Sequence, residues 1–201
     1  MSAVWPDKFI IGLTGNIATG KSLALRLLSE LGAFTINADL VAHEVIRRGQ
    51  PAYGAIVQAF GRRILDADGE IDRSKLGEIV FADPPSLRQL EAITHPAVRV
   101  RIDALARAAE SDVVVIEAIK LLEGALREAV DAVWVMDAPP TNQLARLTKQ
   151  RGMTKAAAQQ RIAAQNSQAD KLAAADVIIR NAGSLAEVRA QIQRAWQRTI
   201  A

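Results

Sequence analysis

Apolar and polar positions along this chain of 201 residues switch between two periods, and the switches mark its elements. Five short apolar runs rich in β-branched residues predict strands at 9–14, 34–36, 113–116, 132–136 and 177–179. They are continuous rather than alternating, so both faces of their sheet must be covered, as in a parallel sheet. Between them the apolar positions recur at helical spacing, most plainly at Leu23, Leu27, Leu28 and Leu31. Further helices are predicted over 138–150, 155–165 and 184–199, the last opening on the capping box Ser184-x-x-Glu187.

The stretch between the second and third strands has almost no strand character. It reads as helices over 40–48, 51–60, 73–81 and 85–109. The last of these should bend or break at His95-Pro96, where proline removes an amide hydrogen. The stretch is too long for a simple crossover and is expected to be a helical insertion serving a second substrate. The expected organisation is a core of residues 1–38 and 112–201, an insert of 39–111, and a lid of 146–168 within the core segment. Fold class is therefore α/β: five strands in a parallel sheet, with helices on both faces.

Composition narrows the chemistry. Half the residues are hydrophobic and 23% are charged, so a packed core is expected rather than disorder. The net charge of +3 suits polyanionic small molecules, and no basic tract asks for nucleic acid. The absence of cysteine excludes disulfides, thiolate metal sites and a cysteine nucleophile, and two histidines are too few to expect structural zinc. The first nine residues lack a signal-peptide apolar core, and no apolar run reaches membrane-spanning length. A cytoplasmic protein with neither membrane nor nucleic-acid partner is expected, either a monomer or a weak homo-oligomer. Asp66-Ala67-Asp68-Gly69 lacks the later acidic ligands of a calcium loop and reads as a solvated turn.

One motif carries function. Gly15-Asn16-Ile17-Ala18-Thr19-Gly20-Lys21-Ser22 reads G-x-x-x-x-G-K-S, with a strand before it and a helix beginning at its end. Its glycines let successive backbone amides converge on a phosphate chain, and the helix adds its positive terminus. Lys21 is expected to bridge the β- and γ-phosphates of ATP, and the Ser22 hydroxyl to ligate Mg²⁺. Leu23 closes the nucleotide-binding segment, where it replaces a possible second hydroxyl. A GTPase would carry N-K-x-D, which is absent. Motors and assembly ATPases usually show an acidic pair after a strand, whereas here a single Glu117 follows Ile116.

Asp39, just beyond the second strand, is a possible base for an attacking hydroxyl, or else only a cap for the next helix. Arg146 and Arg151, ahead of the hinge candidate Gly152, are the lid cations that would meet charge on a transferring phosphoryl group. Arg161 and Lys171 have less in their favour.

A series of ordered segments then specifies a family. They are I-G-L-T-G-N-I-A-T-G-K-S at 11–22, A-D-x-x-A-x-x-V from Ala38 to Val45, I-V-F-A-D-P at 79–84 and L-E-A-I-T-H-P at 90–96. L-L-E at 121–123, Q-L-A-R at 143–146, R-I-A-A-Q at 161–165, A-D-V-I at 175–178 and N-A-G-S-L at 181–185 complete the series. Over nearly all its length the chain resembles bacterial dephospho-CoA kinases. The resemblance implies a five-stranded parallel sheet of P-loop kinase type and ATP-dependent phosphorylation of the 3′-hydroxyl of dephospho-coenzyme A, with Asp39 as base, Arg146 on the γ-phosphate and Arg151 as a second lid arginine. It places His95 and Arg99 in the acceptor region, with Glu117 among the substrate residues. The usual D-A-D is Asn37-Ala38-Asp39 here, P-L-L-F-E becomes Ile119-Lys120-Leu121-Leu122-Glu123, and Arg180 replaces an aspartate. Another small-molecule kinase, such as a nucleoside monophosphate kinase, and a non-catalytic ATP-binding regulator remain alternatives.

Overall fold

The computed structural model describes residues 4–124 and 126–200. In chain order β1 (Phe9–Thr14) leads to α1 (Lys21–Glu30), and β2 (Phe34–Asn37) to α2 (Ala38–Val45), α3 (Tyr53–Phe60), α4 (Arg73–Ala82) and α5 (Pro84–Ala108). β3 (Val113–Glu117) and the short α6 (Leu126–Ala129) precede β4 (Ala132–Asp137), α7 (Pro140–Arg151) and α8 (Lys155–Ala163). The chain ends with α9 (Gln168–Ala173), β5 (Val177–Arg180) and α10 (Leu185–Ile200).

The strands build a single sheet of order β2-β3-β1-β4-β5. β1 runs parallel to β3 and β4, and β4 parallel to β5. The phosphate-loop motif thus leaves the central strand. The chain divides into two compact units, Met1–Ile36 with Ala109–Ala201, and Asn37–Ala108.

In the first unit Ile11, Leu13, Val113, Val115, Trp134 and Met136 pack with Leu27 and Leu28 of α1 and Val188 and Ile192 of α10. The alternate positions Ile10, Val114, Ile116, Val133 and Val135 are equally buried, so the runs of β1, β3 and β4 have two covered faces, whereas the edge strands β2 and β5 are only partly buried and Ile178 is exposed. Full burial of each such side chain stabilises by about 1.5–3 kcal/mol. Gly12 sits where a Cβ would come within 2.6 Å of a Leu121 methyl, so a larger residue there would push back the Leu121 side chain that packs over β1. The capping box forms as expected: Ser184 N donates to Glu187 Oε2 (2.7 Å) and Glu187 N to Ser184 Oγ (3.3 Å).

The second unit is helical. α5 packs against α2, α3 and α4, burying Ile102 and Ala106. The expected break at Pro96 does not occur: α5 is continuous from Pro84 to Ala108. Pro96 forfeits one hydrogen bond to the Ala92 carbonyl, and the packing of the helix outweighs that loss. Asp66-Ala67-Asp68-Gly69 is a turn, in which Asp66 Oδ1 accepts from Asp68 N and Glu70 N.

Two other expectations move. Helix α7 starts at Pro140, because Pro139 adopts an extended conformation and proline suits the first helical position. Helix α9 is an addition, a six-residue element too short to display a period.

Candidate phosphate-binding site

Between β1 and α1 the chain turns through Gly15 (φ +142°) and Gly20 (φ +108°). A Cβ at Gly15 would strike the Met136 carbonyl and one at Gly20 the Asn181 side chain, so both glycines are dictated by φ and by space. Ala18 also has positive φ, at 58°, an uncommon conformation for a residue with a side chain. Thr19 Oγ1 donates back to the Asn16 carbonyl at 2.8 Å and holds the loop closed on itself. The first helical bonds run from Leu23 N and Ala24 N to the Gly20 carbonyl. The amides of Gly20 and Ser22 therefore have no helical acceptor and are available to an anion.

Lys21 folds back over the loop. Its Nζ donates to the carbonyls of Gly15 (3.0 Å) and Asn16 (3.4 Å) and lies 3.7 Å from Glu117 Oε1. Glu117, the last residue of β3, is buried. Arg146 projects from α7 and donates through Nη1 to the Ala18 carbonyl at 2.8 Å. Its Nη2 donates to the main-chain and side-chain oxygens of Asn181, at 3.0 and 2.9 Å. Burial draws its guanidinium below the ordinary arginine value, and it has only neutral acceptors there.

Side chains from α9 and from the segment before it reach the first half of the loop. Asn16 N donates to Gln168 Oε1 (3.2 Å) and Ile17 N to Gln165 Oε1 (2.6 Å). Lys171 Nζ donates to Asn16 Oδ1 at 2.7 Å. Asn181 Nδ2, from just beyond β5, donates to the Thr19 carbonyl at 2.8 Å.

The loop thus gathers three cations, Lys21, Lys171 and Arg146, with the Glu117 carboxylate closest to Lys21. A buried charge that lacks a counter-charge costs on the order of several kcal/mol. Such an excess of positive charge beside free helix-start amides suits a polyphosphate. Ser22 is exposed in the first turn of α1, and its hydroxyl offers Mg²⁺ a hard oxygen. No group of three or more acidic or histidine side chains forms a metal cage among the described residues. The donor set therefore fits an ion that arrives with the phosphates and keeps most of its water.

The other expected site residues are more isolated. Leu23 is half-buried on α1. Arg151, the final residue of α7, is exposed, and its side chain has no hydrogen-bond partner among the described residues. In the second unit, His95 and Arg99 lie one turn apart on α5, both exposed. Asp39 is exposed in the first turn of α2, but it is not the cap: Asn37 Oδ1 accepts from Leu40 N at 2.9 Å. Burial, then Arg73, pulls the His43 imidazole below its ordinary value, while Asp39 pulls it upward.

Sequence reasoning alone missed Asn181, Gln165, Gln168 and Asn16's side-chain role. Gln165 and Asn181 lie within the ordered family segments, which was the available signal; Gln168 lies outside them.

A parallel sheet whose central strand feeds a glycine-shaped anion loop and a helix start defines the P-loop class, in its small-molecule kinase form. Known proteins narrow the class. The family model for dephospho-CoA kinase matches residues 9–187. The dephospho-CoA kinase of Streptomyces avermitilis is 46% identical over 187 residues, covering 92% of this chain and 91% of the relative. Among solved structures, a Thermus thermophilus protein superimposes with a TM-score of 0.85 at 26% identity, covering 96% of this chain and 98% of that one. The dephospho-CoA kinase of Campylobacter jejuni gives 0.63 at 29% identity, with the same coverage of each chain. This chain belongs to the dephospho-CoA kinase family.

Proposed function

We propose that the protein transfers the γ-phosphoryl group of ATP to the 3′-hydroxyl of dephospho-coenzyme A, giving coenzyme A and ADP. The observation that carries this reading is the cation-rich phosphate loop in a chain whose family model spans residues 9–187. The hydroxyl oxygen attacks the γ-phosphorus, the bond to the β,γ-bridging oxygen breaks, and ADP leaves. The hydroxyl proton passes to a carboxylate, assigned here to Asp39.

The amides of Gly20 and Ser22 hold the phosphate chain, those of Asn16 and Ile17 being engaged by Gln168 and Gln165, and Lys21 moves from its carbonyl partners to the β- and γ-phosphates. Arg146 meets the charge on the γ-phosphoryl oxygens, and Arg151 joins it as the lid of residues 146–168 closes. Ser22 holds Mg²⁺, which would neutralise developing phosphate charge. Glu117 fixes the Lys21 ammonium near the substrates, at 3.7 Å in this structure. Residues 39–111 form the acceptor-binding insert, with His95 and Arg99 directed to dephospho-coenzyme A. The working form is a cytoplasmic monomer or weak homo-oligomer.

An acceptor panel tests the reading. ADP release should appear with dephospho-coenzyme A and stay at background with AMP or with no acceptor. Equal turnover with AMP would favour a nucleoside monophosphate kinase, and release with no acceptor at all would refute the proposal.

A further inference from the structure

Lys171 is 5% exposed, an unusual burial for a lysine, and it lies on α9, whose Gln168 ties the helix to the phosphate loop. Its ammonium has three donors but makes one hydrogen bond among the described residues, to Asn16 Oδ1 at 2.7 Å. No carboxylate lies within ion-pair distance of it among those residues. The Glu123 carboxylate that acts on it from further away accepts from Asn166 Nδ2.

Its neighbour of like charge is Lys21. Asn16 joins the two: its side-chain oxygen takes Lys171, and its main-chain oxygen takes Lys21 at 3.4 Å. Desolvation, then Lys21, pulls the Lys171 ammonium below the ordinary lysine value, and Glu123 opposes them. Gln165 and Gln168 pin the same segment to the loop amides, so this ammonium is held against the loop by three side chains.

A lysine serving only as a tie to Asn16 would be a poor choice, because a neutral donor makes the same bond without a buried, like-paired charge. We infer that Lys171 is a second phosphate-binding cation: when a nucleoside triphosphate occupies the loop, its ammonium contacts the phosphate chain beside Lys21. This inference rests on the ATP-binding part of the proposed function, not on the identity of the acceptor. The ligand chemistry is a polyphosphate of high negative charge, which relieves the repulsion between the two lysines.

The test uses the whole chain as wild type, Lys171→Met and Lys171→Arg, with no acceptor present. Binding of ATP with Mg²⁺ and of AMP is measured by calorimetry, and stability of the unliganded proteins by thermal unfolding. Lys171→Met should bind ATP about tenfold or more weakly, the scale of a lost charge-assisted hydrogen bond, and bind AMP within about twofold of wild type. Lys171→Arg should recover most of the loss. Unliganded Lys171→Met should be at least as stable as wild type, because an unpaired buried charge has gone. ATP affinity within about threefold of wild type, an equal loss for ATP and AMP, or a Lys171→Met chain that is unstable or fails to fold would each overturn the inference. Wild-type ATP binding without transfer to dephospho-coenzyme A would sink the reaction reading and leave this one to the affinities.

Discussion

Asp39 and Asn37 divide two jobs that the sequence allowed one residue to hold. Asn37 Oδ1 caps α2 by accepting from Leu40 N, which leaves the Asp39 carboxylate free of that duty and exposed in the first turn. The substitution of asparagine for the family's usual aspartate at position 37 thus keeps a residue that caps well. If Asp39 is the base, Asp39→Asn lowers kcat by about 10²-fold or more and changes ATP affinity by less than about threefold. Steady-state kinetics with calorimetric ATP binding checks both, and retention of nearly full kcat would remove Asp39 from the chemistry. Lys21 and Ser22 were legible because the loop motif fixes their type and spacing. Asn181 was not, and Lys171 was read only as a lesser lid cation: their partners Thr19 and Asn16 lie far away in sequence, and no local pattern announces a long-range contact. The change to Arg180 is explained by nothing in the structure.

At the scale of elements, all five strands were legible: β1, β3 and β4 are buried on both faces and leave continuous apolar runs, and the edge strands β2 and β5, though only partly buried, keep short β-branched runs. Helix ends were read less well. The start of α7 shifted because two consecutive prolines compete for the first helical turn, and α5 ran through a proline that local rules would have made a boundary. Packing against three helices decides the second case, and packing is not written in a window of residues.

Helix α2 also carries a pH response. His43 is half-buried, faces Asp39 and Arg73, and titrates below its ordinary 6.5 in the folded chain. Above 6.5 the folded and unfolded forms are both neutral at this position, and it contributes no pH dependence. As pH falls below 6.5 the unfolded chain takes a proton that folded His43 resists, so the fold loses stability until the folded value is passed. Denaturant unfolding at about pH 7.5 and about pH 5 should therefore show a larger acid loss for wild type than for His43→Gln. The difference will be modest because the imidazole is partly solvated, and equal losses would contradict the assignment.

For the whole molecule, the division into an α/β unit and a helical unit of Asn37–Ala108 follows from where strand character stops in the sequence. The central position of β1 puts the phosphate loop at the middle of the sheet, where α7, α9 and the chain beyond β5 all supply side chains to it. That convergence collects positive charge from three separate stretches of chain, at Lys21, Arg146 and Lys171, and gives the loop its affinity for a polyanion. The proposed activity comes down to one phosphoryl transfer. It is tested most directly by incubating the enzyme with γ-labelled ATP, Mg²⁺ and dephospho-coenzyme A and locating the label. Label on the 3′-oxygen of the acceptor ribose, in amount equal to the ADP formed, is the predicted result. Label found only in inorganic phosphate, or on another acceptor atom, would contradict it.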